Sequence, residues 1–262
     1  MTTNGLKDRW AQGDVAVGAW CMAGAPYIAE MFAMSGFHYV CLDQQHGLIG
    51  YDGLLSSLYA VARTDATPIT RVVANDGGLI GKALDAGAEG VIVPMINLPE
   101  EAERAVSACR YYPEGHRSFG SVRGGYTFGT DPAVVNRQVA CIVMIETAMG
   151  VSNAVDICSV PGVDAVYIGP ADLAISLGCS PGLGIQPGVH AEAIQSVLDA
   201  CLGHGVTAGI HCGSAEQGAQ CSEMGFGMIT VATDIALIRA AAAREFGHAI
   251  GSVNRGGRGQ QS

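Results

Sequence analysis

Polar side chains able to do acid–base and carbanion chemistry stand at the ends of apolar runs in this sequence. Asp43-Gln44-Gln45-His46 closes one run, Arg71 a second and Glu146 a third. Gly169-Pro170-Ala171-Asp172 closes a fourth, and His211 lies within Ala208-Gly209-Ile210-His211-Cys212. Two carboxylates brought together repel unless a cation or a proton sits between them. A Glu146–Asp172 oxygen pair completed by water suits Mg²⁺ or Mn²⁺; the same residues also read as solvated acids or as partners of nearby Arg and Lys. Arg71 ends the run Pro68-Ile69-Thr70-Arg71. A buried guanidinium needs an anion, which could be a substrate carboxylate, an enolate oxygen or Asp43. Asp43 and His46 are spaced so that the carboxylate can orient the imidazole, as a general base requires. The Gly169–Asp172 turn could present backbone N–H groups to a carboxylate or be an ordinary turn with Asp172 as a cap. His211 offers a hydrogen bond to a second substrate, with a charge if protonated; it could equally be a core histidine with a backbone partner.

These residues need a scaffold that brings strand ends to one place. Short apolar runs near Val15–Cys21, Phe37–Asp43, Thr67–Val73, Gly90–Ile96, Cys141–Glu146, Ala165–Gly169, Thr207–Cys212 and Gly227–Ala232 read as strands. Helical periodicity falls between them, at Tyr51–Arg63, Leu79–Ala86, Pro99–Tyr111, Val189–Gly203 and Ala215–Met224. Strict alternation implies a parallel sheet buried on both faces. A closed (β/α)8 TIM barrel over residues 1–250 places every strand's carboxyl end at one mouth. An open doubly wound sheet is the alternative, but its Gly-x-Gly-x-x-Gly fingerprint is missing after the first strand. Pro113–Asp131 is the longest irregular stretch, of the kind that is functional or mobile. The Gly-, Gln- and Arg-rich tail 251–262 is expected to be disordered.

Composition narrows the function classes. Apolar residues are 49 % of the chain, enough for a large core. The formal charge of −10 and the lack of a basic patch argue against nucleic acid. No apolar stretch is long enough to span a bilayer, and the polar N-terminus is unlike a signal peptide. The nine cysteines include no Cys-x-x-Cys pair, which fits reduced thiols in a cytoplasmic protein.

In order along the chain stand Leu42-Asp43-x-x-His46, Arg71-x-x-x-Asn75-Asp76, Leu84-Asp85-x-Gly87, Val93-Pro94-Met95, Tyr112-Pro113-x-Gly115-x-Arg117, Ile145-Glu146-Thr147 and Ile168-Gly169-Pro170-Ala171-Asp172-Leu173. In these motifs the chain resembles the class II pyruvate aldolases of the HpcH/HpaI aldolase and citrate lyase family. The resemblance implies a barrel of the phosphoenolpyruvate/pyruvate type that reversibly cleaves a 4-hydroxy-2-oxo acid to pyruvate and an aldehyde. Glu146 and Asp172 would hold the divalent metal, Mg²⁺ or Mn²⁺ before Co²⁺ or Zn²⁺. Arg71 would support the enolate, Asp43 and His46 would manage protons, and the N–H groups of Ala171 and Asp172 would face the pyruvate carboxylate. It further implies a hexamer with a helix exchanged between subunits, and Asp85 reaching a neighbour's site.

Two positions depart from the family pattern. Gln45 replaces the Glu of Asp-x-Glu-His, and Met144 replaces the Gln of Gln-Ile-Glu. Gln45 removes a charge that could order water; Met144 removes an amide near the substrate. Oxaloacetate decarboxylation, another carbon–carbon bond formation and a binding barrel without turnover are the competing readings. No basic cluster suggests coenzyme A.

Overall fold

Strands buried on both faces are apolar at nearly every position, and eight such segments wrap here into a closed cylinder. The computed structural model describes residues 4–256, with side chains described from residue 4 to residue 250. The strands are β1 (Ala16–Cys21), β2 (Tyr39–Asp43), β3 (Thr67–Arg71), β4 (Gly90–Val93), β5 (Ala140–Ile145), β6 (Ala165–Ile168), β7 (Thr207–His211) and β8 (Met228–Thr233). Each pairs in parallel with the next, and β8 returns to β1. The fold is a (β/α)8 TIM barrel. The strands lie where the apolar runs predict them. β4 shows the largest difference, ending at Val93 rather than Ile96, because Pro94 has no N–H to continue the ladder.

Alternation along each strand divides the apolar residues into two cores. Trp20, Tyr39, Cys41, Ile69, Ile92, Ile142, Met144, Tyr167 and Met228 fill the barrel interior. The opposite faces pack on helices through residues such as Leu42, Val91, Val143, Ile168 and Ile210. The helix Gly5–Gln12 plugs the closed end: Leu6 enters the interior core, and Asn4 caps the helix while donating to the carbonyls of Glu89 and Gln138 at 2.8 Å.

The β8–β1 seam is fastened at the mouth by a buried carboxylate. Asp234 accepts from the N–H groups of Met22 (3.0 Å), Ala23 (2.9 Å) and Ile235 (2.7 Å). It also starts the C-terminal helix Asp234–Gly256. That helix touches the barrel mainly near its start, and Leu237, Ile238, Phe246 and Ile250 on it are exposed. It continues through Gly256, so residues 251–256 of the segment expected to be disordered are helical; the rest of that segment lies outside the described residues.

The stretch 113–131 is largely exposed, Phe119, Val122 and Tyr126 included, and is anchored at a few points. It contains the short helix Gly124–Phe128, and Arg117 within it pairs with Asp85 at 2.9 Å. Among the described residues no helix is long and apolar enough to cross a membrane.

Replacing Asp234 by Ala leaves three partly buried N–H groups, those of Met22, Ala23 and Ile235, without their acceptor. At about 0.5–1.5 kcal/mol for each net hydrogen bond lost, Asp234→Ala is expected to lower unfolding free energy by about 2 kcal/mol. Urea denaturation of variant and wild type checks this; an unchanged midpoint would show that the seam does not depend on it.

Candidate active site

The register of β2 against β3 sets Asp43 directly beside Arg71. Both point into the barrel at its carboxyl end, and the carboxylate meets the guanidinium as a fork: Nε to Oδ1 at 2.9 Å and Nη2 to Oδ2 at 2.6 Å. Trp20 of β1 completes the cluster, donating Nε1–H to Asp43 Oδ2 at 3.2 Å while its ring lies 5.1 Å from the guanidinium carbon. Burial alone would raise the Asp43 carboxyl, but the bonds and charge of Arg71, with help from Trp20, hold it below the usual range. The anion that Arg71 requires within the protein is therefore Asp43. Nε and one N–H of Nη2 are committed to Asp43, which leaves Nη1 and the second N–H of Nη2 for a ligand.

The expected Asp43–His46 side-chain pairing is corrected by this geometry. Asp43 Oδ1 accepts the backbone N–H groups of Gln45 (3.0 Å) and His46 (3.3 Å), forming a turn, and its remaining capacity goes to Arg71 and Trp20. The exposed imidazole of His46 lines the cavity and is oriented by that turn only through its backbone.

Glu146 follows β5 and Asp172 sits in the first turn of the helix Pro170–Ser176. Glu146 is buried and accepts the N–H of Met95 at 2.9 Å. Met95 adopts φ 60°, a left-handed conformation costly for a side chain with Cβ, and this turn delivers its N–H to the carboxylate. Gly169 is needed for steric reasons: a Cβ there would stand 2.6 Å from Glu146 Oε2. Burial, opposed by the Met95 bond and reinforced by the charge of Asp172, pushes the Glu146 carboxyl up to about 7.

Among the described residues neither acid forms a salt bridge. Among the described residues no group of three or more His, Cys, Asp or Glu is arranged to hold a metal ion. Two neighbouring carboxylates, one with its charge penalised by burial, do fit a divalent cation completed by oxygens of water and substrate.

All of these groups but Glu146, which sits beside Gly169, border a cavity of about 240 Å³ lined by Trp20, Met22, Asp43, His46, Arg71, Met144, Gly169, Pro170, Ala171, Asp172, Leu183, His211, Thr233 and Ala236. Gln45 does not line it; its Oε1 is buried without a hydrogen-bond partner. Asp85 is elsewhere, at the end of the helix Gly77–Asp85, paired with Arg117 and lining a separate outer cavity. His211 touches Trp20 edge to face, and burial and then the charge of Arg71 lower it to about 4, so it is neutral near pH 7. The charged form considered from sequence is thus removed.

Several contributors were not picked out from sequence. Trp20 reads as one more apolar residue of β1. Thr233 and Leu183 carry no motif. His190 looks like part of a helix, yet it is fully buried and braces the site: Gln186 N–H donates to Nδ1 and Nε2 contacts the Pro170 carbonyl, both at 3.0 Å. Since Nδ1 accepts, Nε2 must be the donor, and it anchors the turn that carries Asp172.

Residues 16–241 match the model of the HpcH/HpaI aldolase/citrate lyase family. The chain belongs to that family. It is 35 % identical to a hydroxypyruvate/pyruvate aldolase of Rhizorhabdus wittichii, over 91 % of this chain and 96 % of the relative. It is 36 % identical to a 2-dehydro-3,6-dideoxy-6-sulfogluconate aldolase of Pseudomonas putida, over 85 % and 88 %. A crystal structure of a family protein from Burkholderia cenocepacia superposes with a TM-score of 0.86 at 32 % identity, covering 94 % of this chain and 99 % of that one. This family membership makes the chain an enzyme, a carbon–carbon lyase of the aldolase type.

A histidine lowered to about 4 binds fewer protons folded than unfolded between pH 4 and 6.5, so its contribution to stability is present above 6.5 and lost as pH falls toward 4. At roughly 1.4 kcal/mol per pH unit, wild type should lose about 2 kcal/mol more than His211→Leu between pH 7 and pH 5. Parallel urea curves at the two pH values test this; identical losses would place the His211 value near that of a free imidazole.

Proposed function

We propose that this aldolase cleaves a 4-hydroxy-2-oxo acid to pyruvate, or a close analogue, and an aldehyde, and runs the reverse addition through the pyruvate enolate. The observation that carries the reading is the meeting, around one small cavity, of an Arg71 fork held by Asp43 and the Gly169–Asp172 turn beside Glu146. A 2-oxo acid has a carboxylate and an adjacent carbonyl oxygen, and the cavity offers a counterpart for each. In the helix Pro170–Ser176, Leu173 is the first N–H bonded back, to the Gly169 carbonyl at 3.0 Å. Those of Ala171 and Asp172 precede it and can hold the carboxylate.

Arg71 Nη1 hydrogen-bonds the oxygen on which enolate charge develops, with the guanidinium fixed in advance by Asp43. His46 moves the proton of the 4-hydroxyl, directly or through water. Met144, beside Arg71 and Gly169, shapes the pyruvate end of the cavity, and Gln45 supports the turn from behind. Glu146 and Asp172 would hold a divalent ion, Mg²⁺ or Mn²⁺ foremost and Co²⁺ or Zn²⁺ as substitutes. When bound, such an ion acts as a Lewis acid toward the 2-oxo acid.

We further propose a homo-oligomer, a hexamer in keeping with the resemblance. The C-terminal helix, with its exposed Leu237, Ile238, Phe246 and Ile250, has the character of an element exchanged with a neighbouring subunit, and Asp85 would serve the neighbour's site. The unpaired thiols support a reducing compartment such as the cytoplasm.

Exchange of pyruvate C3 protons in D₂O, followed by NMR, tests the enolate step without an aldehyde. Exchange is expected in wild type with metal. It should be lost on chelation, restored by adding back a divalent ion, and reduced by at least about 100-fold in Arg71→Ala. Arg71→Lys should rescue little, since it lacks the planar fork. Glu146→Gln and Asp172→Asn should weaken metal binding measured by calorimetry. Full exchange after rigorous metal removal would refute the metal assignment.

Light scattering of the full chain is expected to show an oligomer at the mass of six subunits. A fully active monomer would contradict the shared-site reading.

A further inference from the structure

Two tyrosine rings occupy the barrel interior because two glycines make room for them. A Cβ on Gly18 would overlap the Tyr39 ring, and one on Gly209 would stand 2.8 Å from Tyr167 Cδ2. Both rings are fully buried, and a buried phenol needs a hydrogen-bond partner. They share one. Thr230 Oγ1 lies 2.7 Å from Tyr39 Oη and 2.6 Å from Tyr167 Oη. The phenols also approach one another, but the bonds with hydrogen-bond geometry run through Thr230. Tyr167 Oη then reaches His211 Nδ1 at 3.4 Å, and His211 Nε2 lies 3.4 Å from Thr233 Oγ1 at the mouth. A line of hydroxyls thus leads from the barrel interior to an imidazole on the cavity wall.

The direction of the protons along this line follows from counting donors. Each hydroxyl has one proton to give. Were the line to run inward from His211, the Tyr39 proton would end with no acceptor along it, and a buried unsatisfied donor is costly. Running outward, Tyr39 donates to Thr230, Thr230 to Tyr167, and Tyr167 to Nδ1, so every proton is used. A neutral imidazole that accepts at Nδ1 carries its own proton on Nε2. That N–H lies 3.4 Å from Thr233 Oγ1, a long contact that a substrate oxygen can share, and both residues border the cavity. Trp20 lies between this pair and the charged end: its ring meets His211 edge to face with centroids 5.1 Å apart, and it lies 5.1 Å from the Arg71 guanidinium carbon.

We infer that the Tyr39–Thr230–Tyr167 line fixes His211 as an Nε2–H donor which, with Thr233, selects carbonyl acceptors bearing an oxygen substituent. The inference rests on the aldolase reading above, since it concerns the second substrate of that reaction. His211 and Thr233 are specificity-determining residues in it, and Tyr167 and Thr230 are positioning residues that act through His211. The favoured partners are hydroxy-aldehydes rather than alkyl ones of equal size.

The test has two readouts on the full-length, metal-loaded protein. Long-range ¹H–¹⁵N correlation of ¹⁵N-histidine-labelled wild type at neutral pH is expected to show His211 protonated on Nε2. In Tyr167→Phe, or in Thr230→Val should the first variant fold poorly, Nδ1–H should become populated. In parallel, kcat/KM for pyruvate addition to glycolaldehyde is compared with that for propanal, which is close to it in size. His211→Leu should reduce the glycolaldehyde-to-propanal ratio about tenfold, the effect of one lost hydrogen bond, and Tyr167→Phe should reduce it less. An Nδ1–H tautomer in wild type, or equal losses on both aldehydes, would overturn the inference. Absence of pyruvate proton exchange in the wild type would instead bring down the aldolase reading, and the inference with it.

Discussion

The buried fork between Asp43 and Arg71 is the interaction on which the mouth of this barrel depends. A guanidinium on an apolar strand is tolerable only with an anion beside it, and removing one partner of such a pair costs on the order of 3–5 kcal/mol. Parallel registration of β2 with β3 supplies that anion at the adjacent position, so the pair forms wherever the barrel forms. Its consequences spread outward. Asp43 also ties down the Gln45–His46 turn and the Trp20 indole. Trp20 in turn presents its ring to Arg71, Tyr167 and His211. One carboxylate therefore sets a cation, a turn carrying a proton-transfer group and an aromatic wall. Because it is spent on these tasks, it has nothing left for the imidazole of His46.

Much of this was legible in the sequence, and the limit has a physical origin. Strand positions followed from apolar runs, because strands buried on both faces leave that signature however the chain is closed. The polar residues ending those runs converge as a parallel barrel requires, which brings Asp43, His46, Arg71, Asp172 and His211 to one cavity with Glu146 beside it. Spacing does not say which partner a polar atom chooses. Asp43 and His46 are near in sequence, but the carboxylate bonds a residue 28 positions away because a charged fork outweighs a local imidazole. Trp20, Thr230 and Thr233 were invisible for the complementary reason: they come from strands whose sequences look like core, and their roles arise only from what faces them across the barrel.

Charge is distributed unevenly around the mouth. At one end stand a guanidinium neutralised by Asp43 and two further carboxylates, of which Glu146 resists ionisation because it is buried beside Asp172. That end calls for added positive charge and for an anionic ligand together, which is what a metal ion with a 2-oxo acid supplies. At the other end His211 is held neutral by burial and by the nearby Arg71 charge, among hydroxyl groups that donate and accept without ionising. A second fixed cation there would compete with the Gly169–Asp172 turn for the substrate carboxylate, and a substrate could then bind in either orientation. A neutral donor avoids that degeneracy. Full charge at one end and hydrogen bonding alone at the other give the cavity a polarity, and a small molecule with a carboxylate at one terminus and a hydroxyl or carbonyl at the other can satisfy it in only one direction.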